Sequence, residues 1–338
     1  MTTYDALLVV SFGGPEGPED VVPFLENVTR GRGIQRERLT EVGAHYNLFG
    51  GVSPINAQCR VLITAVEREL AATGRSMPIY WGNRNWHPML ADTMRTMRDD
   101  GVRHALAFVT SAWSSYSACR QYLDDIESAR ASVGEGAPTV DKIRQFFDHP
   151  GFIEPMIDNV LAAAESASVA LAAATTRVVF TAHSIPLSMA DTCDYVAQLR
   201  VAAQLIASRA GVGEHDLVFQ SRSGPPTVPW LGPDIGDHIE ALADRGITTV
   251  VAVPIGFISD HIEVLYDLDT QAAERAAARQ VRLVRVATVG TDPRFVTMIG
   301  ELIGERVDPD ATRRHLGPLG IRPDRCPGDC CPAPRRAS

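Results

Sequence analysis

His183 and Glu263 are the two side chains of this 338-residue chain best placed to do chemistry. His183 lies in Phe180-Thr-Ala-His-Ser-Ile-Pro186, where an apolar run from Arg177 to Phe180 enters a turn, so its imidazole falls at a strand's carboxyl end. Glu263 lies in Asp260-His-Ile-Glu-Val-Leu-Tyr-Asp267, after a second apolar run from Thr248 to Pro254, in a stretch that reads as a helix. On that helix Glu263, Asp267 and Gln271 recur every four residues and share one face. A neutral imidazole opposite a carboxylate can hold a divalent ion or move protons.

The elements that must position these groups follow from the apolar pattern. Strands are expected at Ala6 to Phe12, Pro78 to Trp81, His104 to Thr110, Arg177 to Ala182, Leu217 to Ser221, Thr248 to Ile255 and Val281 to Val286, alternating with amphipathic segments of helical length. Several are apolar at consecutive positions, as strands are when helices cover both faces of a parallel sheet. The pattern predicts a doubly wound α/β architecture, with a break near Asp148 to Phe152 separating an N-terminal half (1–150) from a C-terminal half (151–310) and a Cys/Pro/Arg-rich tail (311–338). Ligands in such folds collect beyond the carboxyl ends of strands, where His183 is expected.

Composition removes several function classes. Hydrophobic content of 45% supports full cores, and no run of roughly eighteen apolar residues is present to span a bilayer. Met1-Thr-Thr-Tyr-Asp-Ala enters a strand directly, without a basic region or cleavage site, so a cytoplasmic protein with no membrane anchor is expected. A net charge of -9 with a pI near 5.5 argues against nucleic acid as a partner, which calls for a basic face. Gly13-Gly-Pro-Glu-Gly-Pro18 follows a strand, but its prolines and glycine spacing do not fit a dinucleotide loop; it reads as a turn that could wall a cleft. From Thr29 to Pro54 the chain is rich in Arg and then in Tyr46, Leu48, Phe49 and Val52, a pairing of cations and flat apolar groups that suits an amphipathic aromatic acid. The same composition also describes a solvated charged helix followed by a glycine turn.

An ordered set of segments resembles the ferrochelatase family from Leu7 to about Leu302. It comprises Ser11-Phe-Gly-Gly-Pro15, Arg30-Gly-Arg32, Gly50-Gly-Val-Ser-Pro54, the His183 segment, Gln220-Ser-Arg-Ser223, Trp230-Leu-Gly-Pro-Asp234 and Pro254 through Asp267. The resemblance implies two Rossmann-like halves, each a doubly wound parallel sheet, enclosing a porphyrin cleft in a type II chelatase fold. It also implies insertion of ferrous iron into that porphyrin, with His183 and Glu263 as the catalytic pair and the site that meets Fe(II). Metallation removes two pyrrole protons, and either group can accept them. Asp267 would act as an outer relay, with Gln271 standing where a further carboxylate is expected. Ser53, Tyr122, Tyr46 and Arg30 carry over as porphyrin contacts, and His87 as a cleft residue or, equally, a structural histidine. Phe12 stands where some relatives have a ligating tyrosine and offers iron no donor atom.

Of six cysteines, Cys326, Cys330 and Cys331 crowd the tail, in a spacing that is neither a zinc ribbon nor a ferredoxin run. Crowded thiols in a reducing compartment point to a metal. Some ferrochelatases hold a [2Fe-2S] cluster with C-terminal cysteines and one from the N-terminal half, and the resemblance of Ser114-Ser-Tyr-Ser-Ala-Cys-Arg-Gln-Tyr122 nominates Cys119. Such a cluster would fasten residues 310 to 331, otherwise disordered, to the body, while Cys59 and Cys193 read as packing residues.

The Arg-rich segment, the absent hydrophobic lip and the absent anchor favour coproporphyrin III, with four propionates, over protoporphyrin IX. Alternatives are a sister chelatase inserting cobalt, expected to be richer in histidine, and a non-catalytic haem or iron carrier. A monomer is expected, since no heptads are present.

Overall fold

A computed structural model describes residues 3–31 and 35–333. Arg32, part of one motif above, lies outside them.

Two four-stranded sheets form the frame, and every strand pair within them is parallel. The first runs β2-β1-β3-β4, with β1 (Ala6–Ser11), β2 (Ile79–Asn83), β3 (His104–Val109) and β4 (Thr139–Lys142). The second repeats the order as β6-β5-β7-β8, with β5 (Thr176–His183), β6 (His215–Gln220), β7 (Thr249–Val253) and β8 (Arg282–Arg285). Central strands β1 and β7 read Ala-Leu-Leu-Val-Val-Ser and Thr-Val-Val-Ala-Val because helices cover both faces and leave them almost no surface. In both sheets the strand order reverses between two neighbours, β1 and β3 or β5 and β7, which opens a crevice beyond their carboxyl ends. His183 is the last residue of β5 and stands at the second crevice.

Seven strands follow the apolar runs of the sequence; β4 does not. Thr139-Val-Asp-Lys142 is a short edge strand with Val140 as its one apolar residue and Asp141 engaged by Tyr4 and Arg306, so the apolar signal is missing.

One apolar core joins the halves. Leu7, Phe108, Phe152, Phe180, Val253 and Phe295 belong to it together, and helix Pro293–Val307 returns from the C-terminal half to pack on helices Ile55–Ala72 and Pro150–Ser166. The Trp113 indole N–H also donates to the Gly256 carbonyl oxygen at 3.0 Å, linking the loops after β3 and β7. A side chain at Gly256 would bring its Cβ to 2.6 Å from the Ala182 backbone, so only glycine lets that loop lie against the end of β5.

The tail departs from expectation. Its described residues form no regular helix or strand, yet ion pairs hold them against the body: Arg313 to Glu305, Arg306 to Asp324, Arg322 to Asp194 and Arg325 to Asp141. The Gly317 N–H adds a bond to the Asp148 carboxylate at 3.2 Å. Charge pairing between segments far apart in the chain is invisible to composition, which is why the stretch reads as disordered. Among the described residues no helix is long and apolar enough to cross a membrane.

Candidate active site

His183 is fixed from three sides. Its strand neighbour in register is Gln220 on β6, its backbone carbonyl accepts the Tyr195 hydroxyl at 3.0 Å, and its ring Nδ1 meets the Ser184 carbonyl oxygen. A carbonyl only accepts, so Nδ1 carries the proton and Nε2 presents a lone pair. Nε2 lies 3.6 Å from Glu263 Oε2. Lone pairs facing each other at that distance repel unless a cation lies between them, and the cation can be a proton or a metal ion.

Glu263 is aimed by its neighbours. Ile262 and Val264 are buried on either side, which leaves Glu263 facing outward with about half of its side chain accessible. From Leu265 to Ala272 the helix widens into π geometry before resuming as Ala273–Ala278. Such insertions recur at functional sites, and this one begins two residues after Glu263 and carries both Asp267 and Gln271. Asp267 on the widened turn accepts from the Ser221 hydroxyl and from the Gln220 amide, the latter at 3.4 Å. Burial pushes the Asp267 carboxyl up to about 6, and the negative Glu263 adds to the shift. Gln271 is exposed at the outer end.

His261 belongs to this group although the sequence reading passed over it. Burial lowers its basicity, Glu263 raises it and His183 lowers it further, so its ring feels both members of the pair. It packs edge-on against Phe257 at 5.0 Å. The site therefore holds two histidines, where the sequence reading counted one. The available signal was its position two residues before Glu263.

The N-terminal half supplies an apolar lip, which corrects the expectation of none: its residues come from two separate helices and not from one long apolar run. Helices Pro18–Val28 and Arg36–Asn47 pack Val21, Phe24, Leu25, Leu39 and Tyr46 against Ile262, the residue before Glu263. Tyr46 is buried there, and burial followed by the nearby Glu263 and Asp267 charges pushes its phenol upward. Arg30 is exposed at the end of the first lip helix. Ser53 is buried against the Gly14 backbone, with its N–H donating to Pro15 at 2.8 Å. Phe12 is partly exposed beside Phe24, at 6.3 Å between ring centroids. Tyr122 is buried under the Arg84 guanidinium, 4.4 Å above its ring, and Arg84 is itself paired with Asp125. His87 is exposed in the loop after β2, beside Trp86 at 5.5 Å. The structure thus gathers His183, Glu263, Asp267 and Tyr46 closely, and sets Ser53, Tyr122, Arg30 and His87 on surrounding elements.

Four thiols converge elsewhere. Cys119 is buried in the turn Tyr116–Arg120 with the Gln145 amide at its sulfur, and Cys330 and Cys331 lie 3.7 Å apart through their sulfurs. Burial, then Cys330 and Cys119, push the Cys326 thiol up to about 11, and Cys331 is raised by burial and the same neighbours. Cys193 is close enough to be raised by Cys330 as well. Among the described residues no three His, Cys, Asp or Glu side chains stand in metal-holding geometry.

The ferrochelatase family model matches residues 4–307, which takes in both sheets and the whole site. The chain belongs to the ferrochelatase family. It is 53% identical to a ferrochelatase of Rhodopirellula baltica over 97% of this chain and 93% of that one. It is 52% identical to the coproporphyrin III ferrochelatase of Nocardia farcinica over 98% of this chain and 97% of the relative. The corresponding enzyme of Mycolicibacterium smegmatis is 53% identical over 94% of each. Among solved structures, SirB from Bacillus subtilis with Fe3+ superposes at a TM-score of 0.55 with 13% identity, over 92% of this chain and all of that one. At that identity the likeness concerns the fold alone, the chelatase arrangement of two α/β halves.

Proposed function

We propose that this chain inserts Fe(II) into coproporphyrin III, giving Fe-coproporphyrin III in haem biosynthesis. Identity of 50 to 53% to several coproporphyrin III ferrochelatases, over more than nine-tenths of the chain, carries the choice of porphyrin. The enzyme is then a lyase of the metal-chelatase type. We read it as a cytoplasmic monomer of two α/β halves, 1–150 and 151–310, followed by the tail 311–338, whose described residues pair with Asp141 and Asp148 of the first half and with Asp194 and Glu305 of the second.

The reaction exchanges Fe(II) for two pyrrole protons. His183 Nε2 presents a lone pair because Nδ1 is committed to the Ser184 carbonyl, and Glu263 presents a carboxylate 3.6 Å away. Together they accept the departing protons and meet the incoming ion, which is substrate and not a resident cofactor. Glu263, half-exposed, returns protons to solvent, while Asp267 behind it supplies a second carboxylate along the widened helix. Tyr46 and the apolar lip exclude water from one side of the pair. Ser53, Tyr122, Tyr46 and Arg30 are the proposed porphyrin contacts, with Tyr122 buried beneath Arg84.

Cys119, Cys326, Cys330 and Cys331 remain the proposed ligands of a [2Fe-2S] cluster on the chemistry of their donors, soft thiols from two segments of the chain, although among the described residues they do not stand in metal-holding geometry. A cluster there would supply a permanent cross-link between tail and body, away from the chelation site.

Anaerobic turnover of Fe(II) with coproporphyrin III and with protoporphyrin IX, in buffer without detergent, tests the reading. Faster conversion of coproporphyrin III is expected; preference for protoporphyrin IX contradicts the choice of porphyrin, and binding without turnover makes the protein a haem or iron carrier.

A further inference from the structure

Ser221 is one of four non-glycine residues among the described set with positive φ, at 60°, and it stands directly after β6. A side chain in that left-handed region costs about 1 kcal/mol or more, and such strain persists where surrounding structure enforces it. The strain has a visible product. It turns the Ser221 hydroxyl onto the Asp267 carboxylate, and Gln220, the preceding residue, places its amide N–H on the same oxygen at 3.4 Å. Gln220 is only 1% exposed, and its Oε1 is buried without a hydrogen-bond partner among the described residues. Its backbone is locked to the pair: Gln220 is in register with His183, and its carbonyl accepts the Ser184 N–H at 2.8 Å. Asp267 is therefore tied to the strand end that carries His183, although the two lie on different elements.

We propose that Ser221, with Gln220, is a positioning residue that orients the Asp267 carboxylate for delivery of Fe(II) to His183 and Glu263. This rests on the chelatase reading above and adds to it the group that aims the outer carboxylate. A carboxylate with one oxygen held by a hydroxyl and an amide keeps the other free for a cation, whereas an unheld one rotates among orientations. The Ser221 hydroxyl bonds to Asp267, so it acts through that carboxylate.

Replacing Ser221 by glycine separates this role from a structural one. Glycine adopts the positive φ without strain, so Ser221→Gly is expected to keep or raise the melting temperature while removing the hydroxyl. With anaerobic Fe(II) and coproporphyrin III, the KM for Fe(II) is expected to rise about 10-fold, the range for losing a partner of a metal-facing group. Porphyrin affinity, read by fluorescence titration without metal, is expected to stay within about 2-fold of wild type. The same replacement in an Asp267→Asn background is expected to add nothing, because both changes remove one function. An unchanged KM for Fe(II) in Ser221→Gly overturns the proposal while leaving the chelatase reading intact, and so does a loss of porphyrin affinity or melting temperature equal to the loss of activity. A wild type that binds both substrates without turnover overturns both.

Discussion

The rings of His45 and Tyr266 stack at 4.0 Å between centroids with their planes 14° apart, joining the second lip helix of the N-terminal half to the π-helical segment of the C-terminal half. Tyr266 lies one residue before Asp267, so the stack ties the lip to the carboxylate-bearing turn. Stacked pairs contribute about 0.5–1.5 kcal/mol beyond their buried area. His45→Ala and Tyr266→Ala are each expected to loosen the lip, and a double-mutant cycle in urea should return a coupling near 1 kcal/mol. Additive losses would mean that the rings touch without holding the lip.

His183→Ala and Glu263→Gln are expected to lower kcat by about 100-fold or more, the usual scale for a positioned acid–base group. Porphyrin affinity, followed by fluorescence titration without metal, should change little for either variant. A variant that loses porphyrin affinity in proportion to kcat would assign the residue to binding.

Asp267 makes stability depend on pH in a defined direction. Its carboxyl is raised from 3.8 to about 6 in the folded protein, chiefly by burial. The folded state therefore holds its proton longer than the unfolded chain does. Below the unfolded value the group costs nothing; as pH rises from there through about 6 the buried charge forms, and the full penalty, on the order of 3 kcal/mol at most, applies above it. Asp267→Asn is thus expected to stabilise the protein at pH 7.5 and to leave stability near wild type at pH 4. Urea unfolding at both values checks the sign, and equal effects at the two would contradict it.

Protein purified without oxygen is expected to show charge-transfer absorption and acid-labile sulfide, both lost on Cys119→Ser, Cys326→Ser, Cys330→Ser or Cys331→Ser. Ion pairs of Arg313 with Glu305, Arg322 with Asp194 and Arg325 with Asp141 hold the tail as well, so far-ultraviolet circular dichroism should barely change. Retention of the bands in any one variant would remove that thiol from the ligand set.

Much of the frame was legible because buried parallel strands must be apolar at consecutive positions. Ala6 to Ser11 and Thr249 to Val253 announce themselves, whereas Thr139-Val-Asp-Lys142 does not, since this edge strand carries a single apolar residue and engages Asp141 in ion pairs. The four-residue spacing of Glu263 and Asp267 was equally legible, but the widening of that helix was not. His261 was hidden for a related reason: its neighbours in sequence are unremarkable, and its coupling to His183 arises only when β5 and the segment after β7 meet.

The sequence by itself determined which chemical groups are present and where each sits on its own element: an imidazole at the end of a strand, carboxylates on one helical face, thiols in the tail. Local periodicity suffices for that, because backbone geometry fixes which side a residue faces. Tertiary structure decided the rest. The 3.6 Å between His183 and Glu263, the free Nε2, the burial that raises Asp267 and the strained Ser221 that grips it depend on how segments distant in the chain pack. Proton affinity and metal affinity vary with those distances and with the water excluded by packing.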